Sequence, residues 1–148
     1  NVAVRTPWAV TDRPLRSWPT DEDLMVQMSS LAHSAVHVNV ASSMAIDGAM
    51  FGRPQIGPAF LPGADRVQTR RITDFYLQEH WHPITRSGGV AAAANPTQLI
   101  DALRSALENP AIDHPGRERM LNSVLTWPDG RSVDRLVDQV VQVLCGTD

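Results

Sequence analysis

Cys145 is the only cysteine in the chain, which rules out an internal disulfide. Its place in an apolar helical pattern points to packing rather than chemistry, and the lack of disulfides favours a reducing, cytoplasmic setting. No uninterrupted apolar run approaches the roughly 20 residues that span a bilayer, so a transmembrane helix is excluded. Excess positive charge is missing as well. Thirteen basic side chains face sixteen acidic ones, for a net charge of -3 and a pI near 5.9. Arg70-Arg71 is the one dense basic spot, and nucleic acid is not an expected partner. Nor is there an internal repeat or a low-complexity linker. With 148 residues, 43% of them hydrophobic and 20% charged, the chain suits one domain with one core. Aromatic residues make up only 5%, and the scattered Trp8, Trp18, Trp81 and Trp127 read as packing residues.

What is present alternates strands with helices. Val2 to Arg5 reads as a short buried strand, and Thr6 to Thr20, broken by Pro7, Pro14 and Pro19, as a loop. The chain starts at Asn1 with this strand following directly, so it is expected to begin inside a larger protein. Thr20 caps a helix with Asp23 three residues on. Leu24, Met25, Met28, Leu31 and Ala32 carry that helix to about His33. Ala35 to Val40 reads as a strand, Ala41-Ser42-Ser43 as a tight turn, and Ser43 to Phe51 as a helix. Gly52 suits a left-handed helix end, with Pro54 preventing continuation. Gln55-Ile56-Gly57 is the next strand. This order predicts a parallel sheet with helices packed on it.

Further along, Leu61 to Thr73 reads as a loop, Asp74 to Trp81 as a short helix and Gly89 to Ala94 as a last strand. Asn95-Pro96-Thr97-Gln98 supplies a cap, a helix-starting proline and a glutamine to close the box, for a helix ending near Asn109-Pro110. A short helix is expected around Gly116 to Leu125. Ser132 is expected to cap a final helix through Val133, Leu136, Val137, Val140, Val141 and Leu144.

The segment from Asn39 to Pro54 carries the most chemistry. Ser42 and Ser43 lie at the carboxyl end of a strand and the start of a helix, where unpaired N–H groups and the helix dipole favour phosphate. Met44 opens that helix. Asp47, one turn in, is placed to accept hydrogen bonds from sugar hydroxyls if it faces the same cleft. An ordinary cap at Ser42 and a solvated charge at Asp47 explain the same residues. Ser87-Gly88-Gly89 reads either as a phosphate-cradling turn or as a plain turn into a strand. His80 and His82, one residue apart, would share a face of an extended segment, a geometry compatible with metal, but no third ligand accompanies them. His33, His37 and His114 read as packing or surface residues. Asp129-Gly130-Arg131-Ser132 is explained by a turn and a cap.

Taken in order, Val38 to Pro54, Glu79 to Ile84, Ser87 to Val90, Leu107 to Pro110 and Asp129 to Ser132 resemble the C-terminal domain of glycosyltransferases with the two-Rossmann-domain GT-B architecture. The likeness is to the group related to CDP-glycerol glycerophosphotransferases and capsule transferases, and it covers nearly the whole chain. The start departs from that pattern: Arg5-Thr6-Pro7-Trp8 stands where such families often have an Arg-x-His-Pro-like sequence. Arg5 remains a phosphate-side contact, and the first loop is left without a catalytic role.

The resemblance implies a Rossmann-like three-layer α/β domain with a parallel sheet and extra C-terminal helices. It implies the half of a transferase that binds a nucleotide-diphosphate-linked donor, through Arg5, Ser42, Ser43, Met44, Asp47, Gly88 and Gly89. The parent enzyme would move a sugar or polyol phosphate without a cofactor or bound metal. His80 would stabilise the charged leaving group. An N-terminal acceptor domain, with the catalytic base and any peripheral membrane contact, is the implied partner. Two alternatives stand beside it: a nucleotide-sugar epimerase of the same fold, and a non-catalytic binding domain.

Overall fold

The computed structural model describes residues 19–63 and 65–146. The strand expected at Val2 to Arg5 and the loop after it as far as Trp18, Trp8 included, lie outside the described residues.

Thr20 opens the first helix, α1 (Asp21–His33), as the sequence predicts: its side chain accepts from the Asp23 amide, and Asp23 returns the bond to the Thr20 amide. The chain then enters β1 (His37–Val38), shorter than the six residues expected, and turns into α2 (Met44–Met50). Gly52, at φ +72°, ends that helix in the left-handed region. Next come β2 (Gln55–Pro58) and α3 (Arg66–Tyr76). A 3-10 turn (Glu79–Trp81) and the short α4 (His82–Thr85) lead to β3 (Val90–Ala93). Three further helices follow: α5 (Pro96–Glu108), α6 (His114–Val124) and α7 (Ser132–Cys145).

Three expectations are corrected here. Residues 61–73 are not all loop, because Asp65 and Gln68 form a capping box that starts α3. The short helix expected over Asp74 to Trp81 is instead the end of α3 followed by the 3-10 turn. Ser132 is also not a cap: Arg131 holds that position, and no side chain closes the start of α7.

The three strands lie in the order β1-β2-β3, all parallel, with His37 opposite Gln55 and Gln55 opposite Val90. Side chains alternate across a strand, so these three share one face, and Val38, Ile56 and Ala91 share the other. Helices lie against both faces. On the first, Ala49 of α2, Ile84 of α4 and Met120 of α6 form a buried cluster with Trp81 and Val90 packed on it. On the second, Ile56 and Ala93 meet Ala106 of α5, with Leu99, Ala102 and Leu103 beside them. The fold is thus α/β with a small parallel sheet.

α6 is seated by a backbone contact. A Cβ added to Gly116 would lie 2.1 Å from the Gly88 carbonyl oxygen, and one added to Gly89 would lie 2.8 Å from the Gly116 carbonyl. Only glycines allow that approach. One turn on, Met120 is fully buried. Arg117, also buried, donates to the carbonyls of Pro110 and Ile112, and burial lowers its guanidinium pKa against the opposing pull of Asp113.

α7 buries none of its residues: Val133, Leu136, Val137, Val140, Val141 and Leu144 are exposed, and so is Cys145. Packing of Cys145 is therefore not what the structure shows. Trp127 is likewise exposed, with the Arg135 guanidinium 4.6 Å above its ring. Arg135 also binds Asp129 and holds that carboxyl down to about 2. No helix among the described residues is long and apolar enough to cross a membrane.

Candidate functional site

The site begins where β1 runs out. Asn39 still donates its amide to Ile56. Ala41 then turns at φ +38°, in the left-handed region that non-glycine residues avoid. Its N–H donates to the Tyr76 hydroxyl at 3.2 Å, and that hydroxyl donates in turn to the Pro58 carbonyl at 3.0 Å. One phenol therefore ties the carboxyl ends of β1 and β2 together. Gly57 makes room for it: a Cβ there would sit 2.9 Å from the Tyr76 oxygen. Burial raises the Tyr76 pKa, with the Ala41 amide opposing, so the hydroxyl keeps its proton at neutral pH.

Beside Tyr76 lies a small pocket, open at its mouth, with about 30 Å³ of space for water-sized groups. Ala45 of α2, Trp81, Ile84 of α4 and Val90 and Ala92 of β3 form its apolar walls. Asn39, Ser42, Tyr76 and Thr85 supply its polar atoms. Among the described residues, no carboxylate, arginine or histidine lines it. Such a pocket, apolar with a few fixed polar groups at the carboxyl ends of parallel strands, is the usual form of a small-molecule site in an α/β fold.

At the expected phosphate turn, Ser42 and Ser43 are adjacent to this pocket, but the first amides of α2 are already engaged. Met44 donates to the Ser42 hydroxyl at 3.3 Å, Ala45 to the Ser42 carbonyl at 3.0 Å and Ile46 to the Ser43 carbonyl at 2.9 Å. Ser43, itself helical in conformation, makes no side-chain cap. An anion here would rely on the serine hydroxyls more than on the helix start. Asp47 is half-buried on α2 but is not among the residues lining the pocket.

The other expected contacts are not brought together with Ser42. Gly88 and Gly89 precede β3, at the amino end of the parallel sheet, whereas Ser42 follows β1 at the carboxyl end. The Gly89 amide donates to the Ser87 hydroxyl at 2.9 Å, and that hydroxyl donates to the Ile84 carbonyl at 2.6 Å. This is the plain turn into a strand, tightened by the contact with Gly116. His80 is exposed in the 3-10 turn, its ring 5.7 Å from that of Trp81 and outside the pocket lining. His82 begins α4, so the segment is helical and the two imidazoles do not share an extended face. Among the described residues, no three of His, Cys, Asp and Glu are grouped to hold a metal ion. Arg5 lies outside the described residues.

Behind the pocket runs a buried polar chain. His37 Nε2 lies 3.0 Å from the Leu31 carbonyl at the end of α1, and its Nδ1 lies 3.1 Å from Gln55 Nε2. Gln55 also donates to the Arg53 carbonyl at 2.8 Å and accepts from Asn39 Nδ2 at 3.4 Å. Burial lowers the His37 pKa, and the Arg53 charge adds to this against the bonds to Leu31 and Gln55. His37 was legible only as packing or surface. Tyr76, the chain's single tyrosine, carried no motif at all.

Set against known protein families, curated proteins and solved structures, the chain matches none.

Proposed function

We propose that this chain is the donor-binding half of a glycosyltransferase-like enzyme of the GT-B kind, a three-layer Rossmann-like domain that holds a nucleotide-diphosphate-linked sugar or polyol. The observation that carries the reading is the pocket at the carboxyl end of β1, walled by α2 and floored by Tyr76, with Ser42 at its edge. Parallel α/β sheets bind ligands at this end, and helices against both faces of the sheet favour three layers. The uncharged part of the donor occupies the pocket, and the diphosphate meets the Ser42 and Ser43 hydroxyls outside it. His80, next to the pocket wall at Trp81, faces the transferred group once a second, acceptor-bearing domain closes over it. The nucleotide-diphosphate donor is substrate, and no cofactor takes part.

An NMR titration of the chain with UDP and CDP tests this. The Ser42, Ser43 and Met44 amides are expected to move. Signals that move only elsewhere would refute the site.

One observation favours a second reading, a binding domain without chemistry of its own: no acid, base or cation of the described residues lines the pocket. Binding that persists in a full-length protein with no transfer to any acceptor would favour it.

A further inference from the structure

We infer that the pocket beside Tyr76 selects a small neutral ligand that donates a hydrogen bond to the Asn39 side-chain carbonyl, with His37 and Gln55 as the positioning residues that keep that carbonyl free.

The orientation starts at an atom that cannot change role. The Leu31 carbonyl only accepts, so His37 carries its proton on Nε2, 3.0 Å away. Its Nδ1 then offers a lone pair, which Gln55 Nε2 fills from 3.1 Å. The second proton of that amide goes to the Arg53 carbonyl at 2.8 Å. Both Gln55 protons are thus committed, and Oε1 remains as an acceptor. Asn39 answers it with Nδ2 at 3.4 Å. Turning the Asn39 amide over would set two carbonyl oxygens against each other. Asn39 Oδ1 is left without a hydrogen-bond partner among the described residues, and Asn39 lines the pocket.

The neighbouring groups agree. Tyr76 has given its proton to Pro58 and Thr85 its own to the Trp81 carbonyl, so both keep only acceptor capacity. The Ser42 hydroxyl, the second Asn39 Nδ2 proton and the Trp81 indole N–H are the donors that remain. With apolar walls and no charged side chain in the lining of the described residues, the pocket, open at its mouth, suits the donor edge of an uncharged body. This inference stands apart from the transferase reading, since a neutral probe reports on the pocket whether or not a diphosphate sits at Ser42.

Indole and benzofuran supply the test, having one outline but an N–H donor in the first where the second has an oxygen. Benzofuran is the more apolar, so partitioning alone favours it. In NMR titrations of the whole chain, indole is expected to shift the Asn39 side-chain amide and to bind roughly fivefold or more tightly than benzofuran. In Gln55→Met the Asn39 amide is free to turn, and the preference is expected to fall below about twofold while the same signals still respond. Equal or tighter binding of benzofuran to the unaltered chain, shifts that miss Asn39, or a Gln55→Met chain that keeps the full preference would each overturn the inference. Should Gln55→Met fail to fold, the two probes on the unaltered chain decide alone.

Discussion

Gly48 and His37 are so close that a Cβ added to the glycine would lie 1.9 Å from the imidazole Nδ1 and 2.5 Å from Gln55 Nε2. The helix α2 therefore rests on the His37–Gln55 hydrogen bond itself. Gly48→Ala should gain a little helix propensity and lose far more by separating α2 from the sheet. The expected net loss is about 2–4 kcal/mol, from overpacking and a broken buried hydrogen bond. Urea unfolding measures it; a loss under about 0.5 kcal/mol would mean that α2 shifts freely.

The same imidazole makes stability depend on pH. Its folded pKa lies below the ordinary 6.5, chiefly through burial. In the window below that ordinary value the unfolded chain takes up a proton that the folded chain refuses, so stability falls as pH falls. The His37 contribution is complete above 6.5 and is lost progressively down to the folded pKa. Denaturant midpoints measured from about pH 8 to about pH 5 should show this slope. His37→Gln should flatten it within that window. A slope unchanged in the variant would assign it to other groups.

Tyr76→Phe removes the oxygen that joins Ala41 to Pro58. Both backbone groups lose a partner, and the left-handed turn at Ala41 loses its tether. A destabilisation of about 1–3 kcal/mol is expected, with faster hydrogen exchange at the Ala41 amide. Unchanged exchange there would show that the turn holds itself.

Gly116→Ala drives a methyl group into the Gly88 carbonyl, which is backbone and has no rotamer to change. The expected cost is about 3 kcal/mol or more, with α6 displaced from the sheet. Calorimetry and the near-ultraviolet signal from Trp81, which packs on the same cluster as Met120, read both effects. A variant as stable as the parent would refute the backbone contact.

Elements with side-chain caps were the most legible, although Gln98 accepts from the Ala94 amide and does not close the expected box on Asn95. Thr20 with Asp23, and Asn95 with Gln98, announce α1 and α5, and both helices start where those residues place them. α3 carries an equally good box at Asp65 and Gln68, yet its inward residues are Thr69, Ile72, Thr73 and Tyr76. Helical spacing is present there, but threonines occupy half of it, and a search for apolar periodicity passes over them. At the site, sequence locates the serine turn after β1 because the strand and helix on either side are local signals. Tyr76 arrives from α3 and His37 is fixed by Gln55, eighteen residues away. Contacts of that kind depend on strand register, which no local pattern encodes.

The meeting of Gly89 and Gly116 also bears on how this protein can change over generations. Neither position has a tolerable single replacement that leaves the other untouched, and compensating for one by shrinking its neighbour is impossible, since glycine is already the smallest residue. Drift at these two sites is blocked while α6 keeps its seat. Any lineage that loses either glycine must rebuild the approach of helix to strand.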